Sequence, residues 1–195
     1  MNFINRHTKY LILLLFIFFG FNITIVKAQE WNTARLSVLY GGNIPVDFNN
    51  LSRIKKGIEF QTGTRFGISM ADSSVVGHQL QGFTLYCRAF NNQANIKGEV
   101  YTLPLNKIRI KAENVIGLES GHSYGYQNLA DDWVPIFSYN TASWVDLNWA
   151  NHQLNISYEI GKPLSEGGNG SLMGEEPDYY NIEIEFELAP TGPGF

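Results

Sequence analysis

Four stretches of this chain set a hydrophobic residue at every second position. They are Phe83, Leu85, Cys87 and Ala89 in "FTLYCRAF"; Ile108, Ile110 and Ala112 in "NKIRIKAENV"; Leu154, Ile156, Tyr158 and Ile160 in "HQLNISYEI"; and Ile182, Ile184, Phe186 and Leu188 in "DYYNIEIEFEL". Neighbouring residues of a strand point to opposite faces, so a period of two means one dry flank and one wet flank. Antiparallel sheets tolerate that arrangement, whereas buried parallel sheets read as continuous apolar runs. No long stripe of helical spacing accompanies the alternation.

Weaker alternation marks residues 34–40, 65–70, 96–102, 134–139 and 143–149. Turn signals separate these runs: Gly41-Gly42-Asn43, Asn49-Asn50, Asn91-Asn92, Gly161-Lys162-Pro163 and "EGGNGS". The pattern predicts an all-β fold, a single antiparallel β-sandwich or jelly-roll-like domain of about eight to ten strands. One run, "LSRIKKGIEF", spaces Ile54 and Ile58 as a helix does, but Gly57 limits it to a single turn.

Two rows of charge ride on the wet faces. Lys107, Arg109 and Lys111 form a cationic row, and Glu183, Glu185 and Glu187 an anionic one. Opposite charges attract across strands, so the rows predict that residues 106–113 and 181–188 are neighbours in one sheet. The alternative is that each row is solvated by itself, because exposed ion pairs contribute little. Like charges on a late strand also discourage edge-to-edge association.

The chain opens with Arg6 and Lys9, an apolar run from Tyr10 to Phe19, and Val26-Lys27-Ala28. That order predicts a signal peptide over residues 1–28 with cleavage before Gln29, leaving residues 29–195 as the β-sandwich domain. Asn22 and Thr24 interrupt the run that a membrane anchor would need. The expected location is therefore exported: periplasmic, cell-surface or extracellular, without stable membrane insertion of the mature chain. Past residue 28, 11 basic residues face 18 acidic ones, a net charge of −7. An acidic chain with no basic cluster is a poor partner for nucleic acid or anionic membrane. A single cysteine, Cys87, forbids an internal disulfide, so packing must hold the domain.

Chemistry-bearing motifs are sparse. Gly121-His122-Ser123-Tyr124-Gly125 matches the pattern of a nucleophile elbow, but that motif needs a strand-to-helix turn and a following helix, which "YQNLADDWVP" does not supply. His78, His122 and His152 share no metal-ligand spacing. Asp131, Asp132, Glu175, Glu176 and Asp178 are oxygen ligands of the kind calcium takes from loops; the alternative is solvated acidic turns. No other cofactor is implied. Aromatic residues crowd residues 133–149, where Trp133, Tyr139, Trp144 and Trp149 are candidates to stack on sugar faces, with Asn148 as a polar partner. Core packing is the competing use of the same rings.

Three functions are ranked on this basis. First comes a non-catalytic interaction or structural protein of the cell surface, adhesin-like or filament-like, binding a protein partner or itself. Second is a carbohydrate-binding module on the tryptophan-rich region, with a glycan partner. A secreted hydrolase or lyase ranks third. Fold alone does not separate them.

Overall fold

The computed structural model describes residues 33–43, 51–71, 80–143, 145–176 and 178–192. The expected signal peptide, residues 1–28, lies outside the described residues, as does Trp144. Within them the chain is an antiparallel β-sandwich of two packed sheets.

Sheet A has the order β1-β2-β10-β6-β8, formed by β1 (Thr33–Tyr40), β2 (Ile58–Ala71), β10 (Gln153–Ile160), β6 (Ile108–Ile116) and β8 (Gln127–Asn128). Sheet B has the order β11-β3-β9-β7, formed by β11 (Ile184–Thr191), β3 (Gly82–Ala89), β9 (Val134–Asn140) and β7 (His122–Ser123). A separate hairpin of β4 (Asn95–Lys97) and β5 (Thr102–Pro104) stands at one end. From β2 onward the chain shuttles repeatedly between the sheets, so the core is assembled from contacts distant in sequence.

The alternation sets the core. Phe83, Leu85, Cys87 and Ala89 of β3 are buried together with Ile108, Ile110 and Ala112 of β6 and Leu154, Ile156 and Tyr158 of β10. Phe83 stacks near Phe137 at 6.2 Å between ring centroids, and Phe66 meets Phe186 edge-on at 4.9 Å across the two sheets. The helical run is α1 (Leu51–Lys56), stopped at Gly57, whose φ of +74° favours glycine. Gly41 is needed at the end of β1: its φ is +76° and an added Cβ would stand 1.8 Å from the Gly63 carbonyl oxygen.

Three expectations are corrected. The strands carrying the charge rows are not neighbours: β6 lies in sheet A and β11 in sheet B. Each row finds other partners. Lys107 meets Glu175 at 2.7 Å, Arg109 meets Glu159 of the adjacent β10 at 3.0 Å, and Glu185 meets Arg88, its register partner on β3, at 2.6 Å. Secondly, residues 143–149 form no ladder. Val145 and Leu147 are buried and Asp146 exposed, and among the described residues the stretch meets sheet A through the isolated Met70–Leu147 bridge and a hydrogen bond from the Trp149 N–H to Ser69 Oγ at 3.2 Å. Thirdly, residues 96–102 are two short strands rather than one, because Asp178 caps the turn between them, its Oδ2 accepting from the Val100 and Tyr101 N–H groups at 2.8 Å each.

The last strand also begins later and runs further than the expected 181–188, with Pro190 opposite Phe83 inside β11. Within the described residues β11 pairs only with β3, and an edge strand does not miss the proline N–H.

Candidate functional site

The described aromatic candidates, Trp133, Tyr139 and Trp149, do not form one platform. Trp133 is half-buried on the outer face of sheet B, where the Arg88 guanidinium lies 4.2 Å from its ring centroid. That contact and the Arg88–Glu185 pair make it part of a cross-strand cluster. Tyr139 packs inward, 5.9 Å from the Phe83 ring. Trp149 stands on the outer face of the other sheet, above Gly67 of β2, and is 51 % exposed. Asn148 is a turn-former: its Oδ1 accepts from the Ala150 N–H at 2.9 Å, and its carbonyl accepts from the Asn151 and His152 N–H groups.

The acidic candidates fall in two places, Asp131 and Asp132 in one and Glu175, Glu176 and Asp178 in the other. Asp131 and Asp132 are exposed in the loop before β9. Glu175 is paired to Lys107, and Asp178 is held by the turn it caps. Those backbone N–H groups, Tyr101 foremost, hold the Asp178 carboxyl below its ordinary pKa. Among the described residues no three His, Cys, Asp or Glu side chains converge as a metal centre would require.

The nucleophile candidates are likewise occupied. Ser123 lies on β7, and its hydroxyl donates to the Ala112 carbonyl of β6 at 2.7 Å, tying the sheets together. His152 accepts from the Asn148 N–H through Nδ1 at 2.9 Å. Cys87 is fully buried, and desolvation pushes its thiol up to about 12.

One feature of the folded chain has no local signature in the sequence. Inward-phase residues at the centre of each sheet are fully buried, but those of the edge strands β1 and β11 are not. Val38 is 58 % exposed although it sits opposite Phe66, which is buried. Ile182, Ile184, Phe186 and Leu188 are only partly buried. At the end of the sandwich where β10 stops and β6 and β11 start, a cavity of about 1200 Å³ lies between the sheets.

Ile108 and Ile160 of sheet A line one side of the cavity and Ile184 of β11 the other, and the Phe66 and Phe186 rings, in contact across the sheets, bound it between them. Ile96 and Leu103 of the hairpin and Leu172 of the loop before β11 close its end. Inside, the polar groups are already mutually satisfied. Thr64 Oγ1 donates to the Gly41 carbonyl at 2.6 Å, so the Tyr158 hydroxyl, 2.9 Å away, must donate to Thr64. Burial pushes that phenol up to about 12. The charged members of the lining are Lys107, Glu175, Glu176, Asp178 and Glu183.

Sequence reasoning missed this cavity because its wall is drawn from β1, β2, β6, β10, β11, the hairpin and a loop. The one available signal was the aromatic-acidic stretch "GEEPDYYN", read only for its carboxylates; it forms part of the rim. No protein-family model and no curated protein sequence matches the chain.

Proposed function

We propose that this chain is an exported, non-catalytic interaction protein whose binding element is the cavity between its sheets. The observation that carries the reading is that cavity. Its volume of about 1200 Å³ exceeds the roughly 300–1,000 Å³ of ordinary small-molecule sites, and its walls are apolar with a few convergent polar groups at the rim. An open cleft of this size leaves apolar side chains in contact with water, a cost that an apolar occupant would offset. The non-catalytic part rests on the committed state of Ser123, His152, Cys87 and Asp178, each held by the fold itself. Export follows from the leader-like residues 1–28, and the cell surface or its surroundings is the expected place of action.

Calorimetric titration with decanol, a neutral apolar probe, tests the reading. The wild-type protein is expected to bind it, and an Ile184→Trp variant that keeps a cooperative melt is expected to lose the binding. Wild-type protein that takes up no decanol refutes the cavity as the binding element.

A second reading has one observation in its favour. Trp149 is exposed on the outer face of sheet A, and Tyr40, also exposed, shares that face with Arg65 lying 5.2 Å from its ring centroid. Two aromatic faces with polar neighbours suit the apolar face of a sugar. Glycan-array binding that disappears in Trp149→Ala would support a carbohydrate module there.

A further inference from the structure

We infer that the inter-sheet cavity takes an amphiphile with a cationic head, its chain between the sheets and its head at the rim. This rests on the cavity being a binding site and adds the class of ligand. Two observations carry it.

The interior offers little to a polar ligand body. Thr64 and Tyr158 complete a donor chain that ends on the Gly41 carbonyl, so neither hydroxyl is left seeking a partner. Apart from Asn43, Asn181 and the backbone at Gly41 and Gly42, what remains is mostly aliphatic and aromatic wall, including Leu103, Ile108, Ile184 and Phe186. A hydrocarbon chain is stabilised there in proportion to the apolar area it removes from water.

The rim has the opposite character and one dominant sign. Among the described lining residues four carboxylates, Glu175, Glu176, Asp178 and Glu183, stand with one cation, Lys107, a net of three negative charges. Lys107 already has its partners: Glu175 at 2.7 Å, and the Ser171 carbonyl, which accepts from its Nζ at 3.0 Å. It therefore does not provide an anchor for an anionic head. The field is felt locally: burial first, then the Asp178, Glu175 and Glu176 carboxylates, hold the Tyr180 phenol above its ordinary pKa. An anionic head such as a fatty carboxylate would be repelled at this opening, and a quaternary or primary ammonium head attracted. Tyr179 and Tyr180, also in the lining, supply aromatic faces of the kind that favour such cations.

The test compares probes of one chain length and three head charges: decyltrimethylammonium, decanol and decanoate, each kept below its micelle concentration and titrated calorimetrically into the wild-type protein. The ammonium probe is expected to bind roughly tenfold more tightly than decanoate at low ionic strength, with the gap narrowing as salt screens the rim. The double variant Glu176→Gln/Glu183→Gln alters two exposed side chains and should fold as wild type. It is expected to lose most of the preference while still binding decanol. Equal binding of all three probes, or tighter binding of decanoate, overturns the cationic inference and leaves the cavity reading standing. Failure of every probe to bind overturns both.

Discussion

Glu159 offers the sharpest test of how the outer face of sheet A is held. Its position on β10 is outward-phase, yet the residue is only 2 % exposed, because the central strand is roofed by Tyr126 and the segment following β10. Its Oε2 accepts from Arg109 Nη1 at 3.0 Å, and its Oε1 accepts from Lys162 Nζ at 2.6 Å. Arg109 also donates to the Gly167 carbonyl and lies 5.3 Å from the Tyr126 ring centroid, so the carboxylate organises the whole roof. Glu159→Ala removes two charge-assisted hydrogen bonds, each contributing about 1.5–3 kcal/mol. Truncating one member of a fully buried pair costs about 3–5 kcal/mol. The Arg109 and Lys162 side chains here keep 18 % and 25 % of their exposure, so rehydration offsets part of the loss. The expected cost is about 2–3 kcal/mol, which in a domain of this size lowers Tm by roughly 5–10 °C. Urea denaturation of both proteins measures it. Glu113→Ala is the control: its carboxylate is half exposed beside Lys111, and the change is expected to cost no more than about 0.5 kcal/mol. A Glu159→Ala protein within the error of that control would refute the reasoning.

Three further outcomes are expected. Asp178 has a depressed folded-state pKa from the Tyr101 and Val100 N–H groups, so its contribution is fully present above the ordinary aspartate value of about 3.8 and is lost as pH falls through the depressed one. The stability difference between wild type and Asp178→Asn should accordingly be present at neutral pH and vanish in strong acid, as denaturant midpoints across pH will show. Cys87, its thiol pushed up to about 12 by burial, should stay unmodified by a chromogenic disulfide reagent until urea unfolds the chain, and the reaction should follow the unfolding curve. Gly82→Ala should cost about 2–4 kcal/mol by calorimetric melting, because the new Cβ would fall 1.8 Å from the Tyr139 carbonyl oxygen of the paired strand.

The alternation made the strands legible because a half-buried sheet writes its two faces directly into the chain. The inward sets of β3, β6 and β10 are read correctly from residues such as Leu85, Ile110 and Ile156, all fully buried. Pairing was less legible. The row of Lys107, Arg109 and Lys111 announces a need for anions but not which ones, and Glu159 and Glu175 serve it instead of residues 183–187. Opposite charges are interchangeable at the surface, whereas strand order is decided by core contacts that join distant segments. Burial of an outward-phase residue such as Glu159 depends on a roof built by later loops. The same limit hid the site: Val38, Leu103, Leu172 and Ile184 are each ordinary apolar residues, and only the folded chain brings them around one space.

Isoleucine methyl resonances provide the most direct measurement of that space. The cavity is lined by Ile54, Ile96, Ile108, Ile160, Ile182 and Ile184, while the buried Ile68, Ile136 and Ile156 lie outside its lining. Titration of selectively methyl-labelled protein with decanol should shift the first group together, saturably, and leave the second group in place. Uniform shifts across both groups, or shifts in neither, would contradict a binding cavity between the sheets.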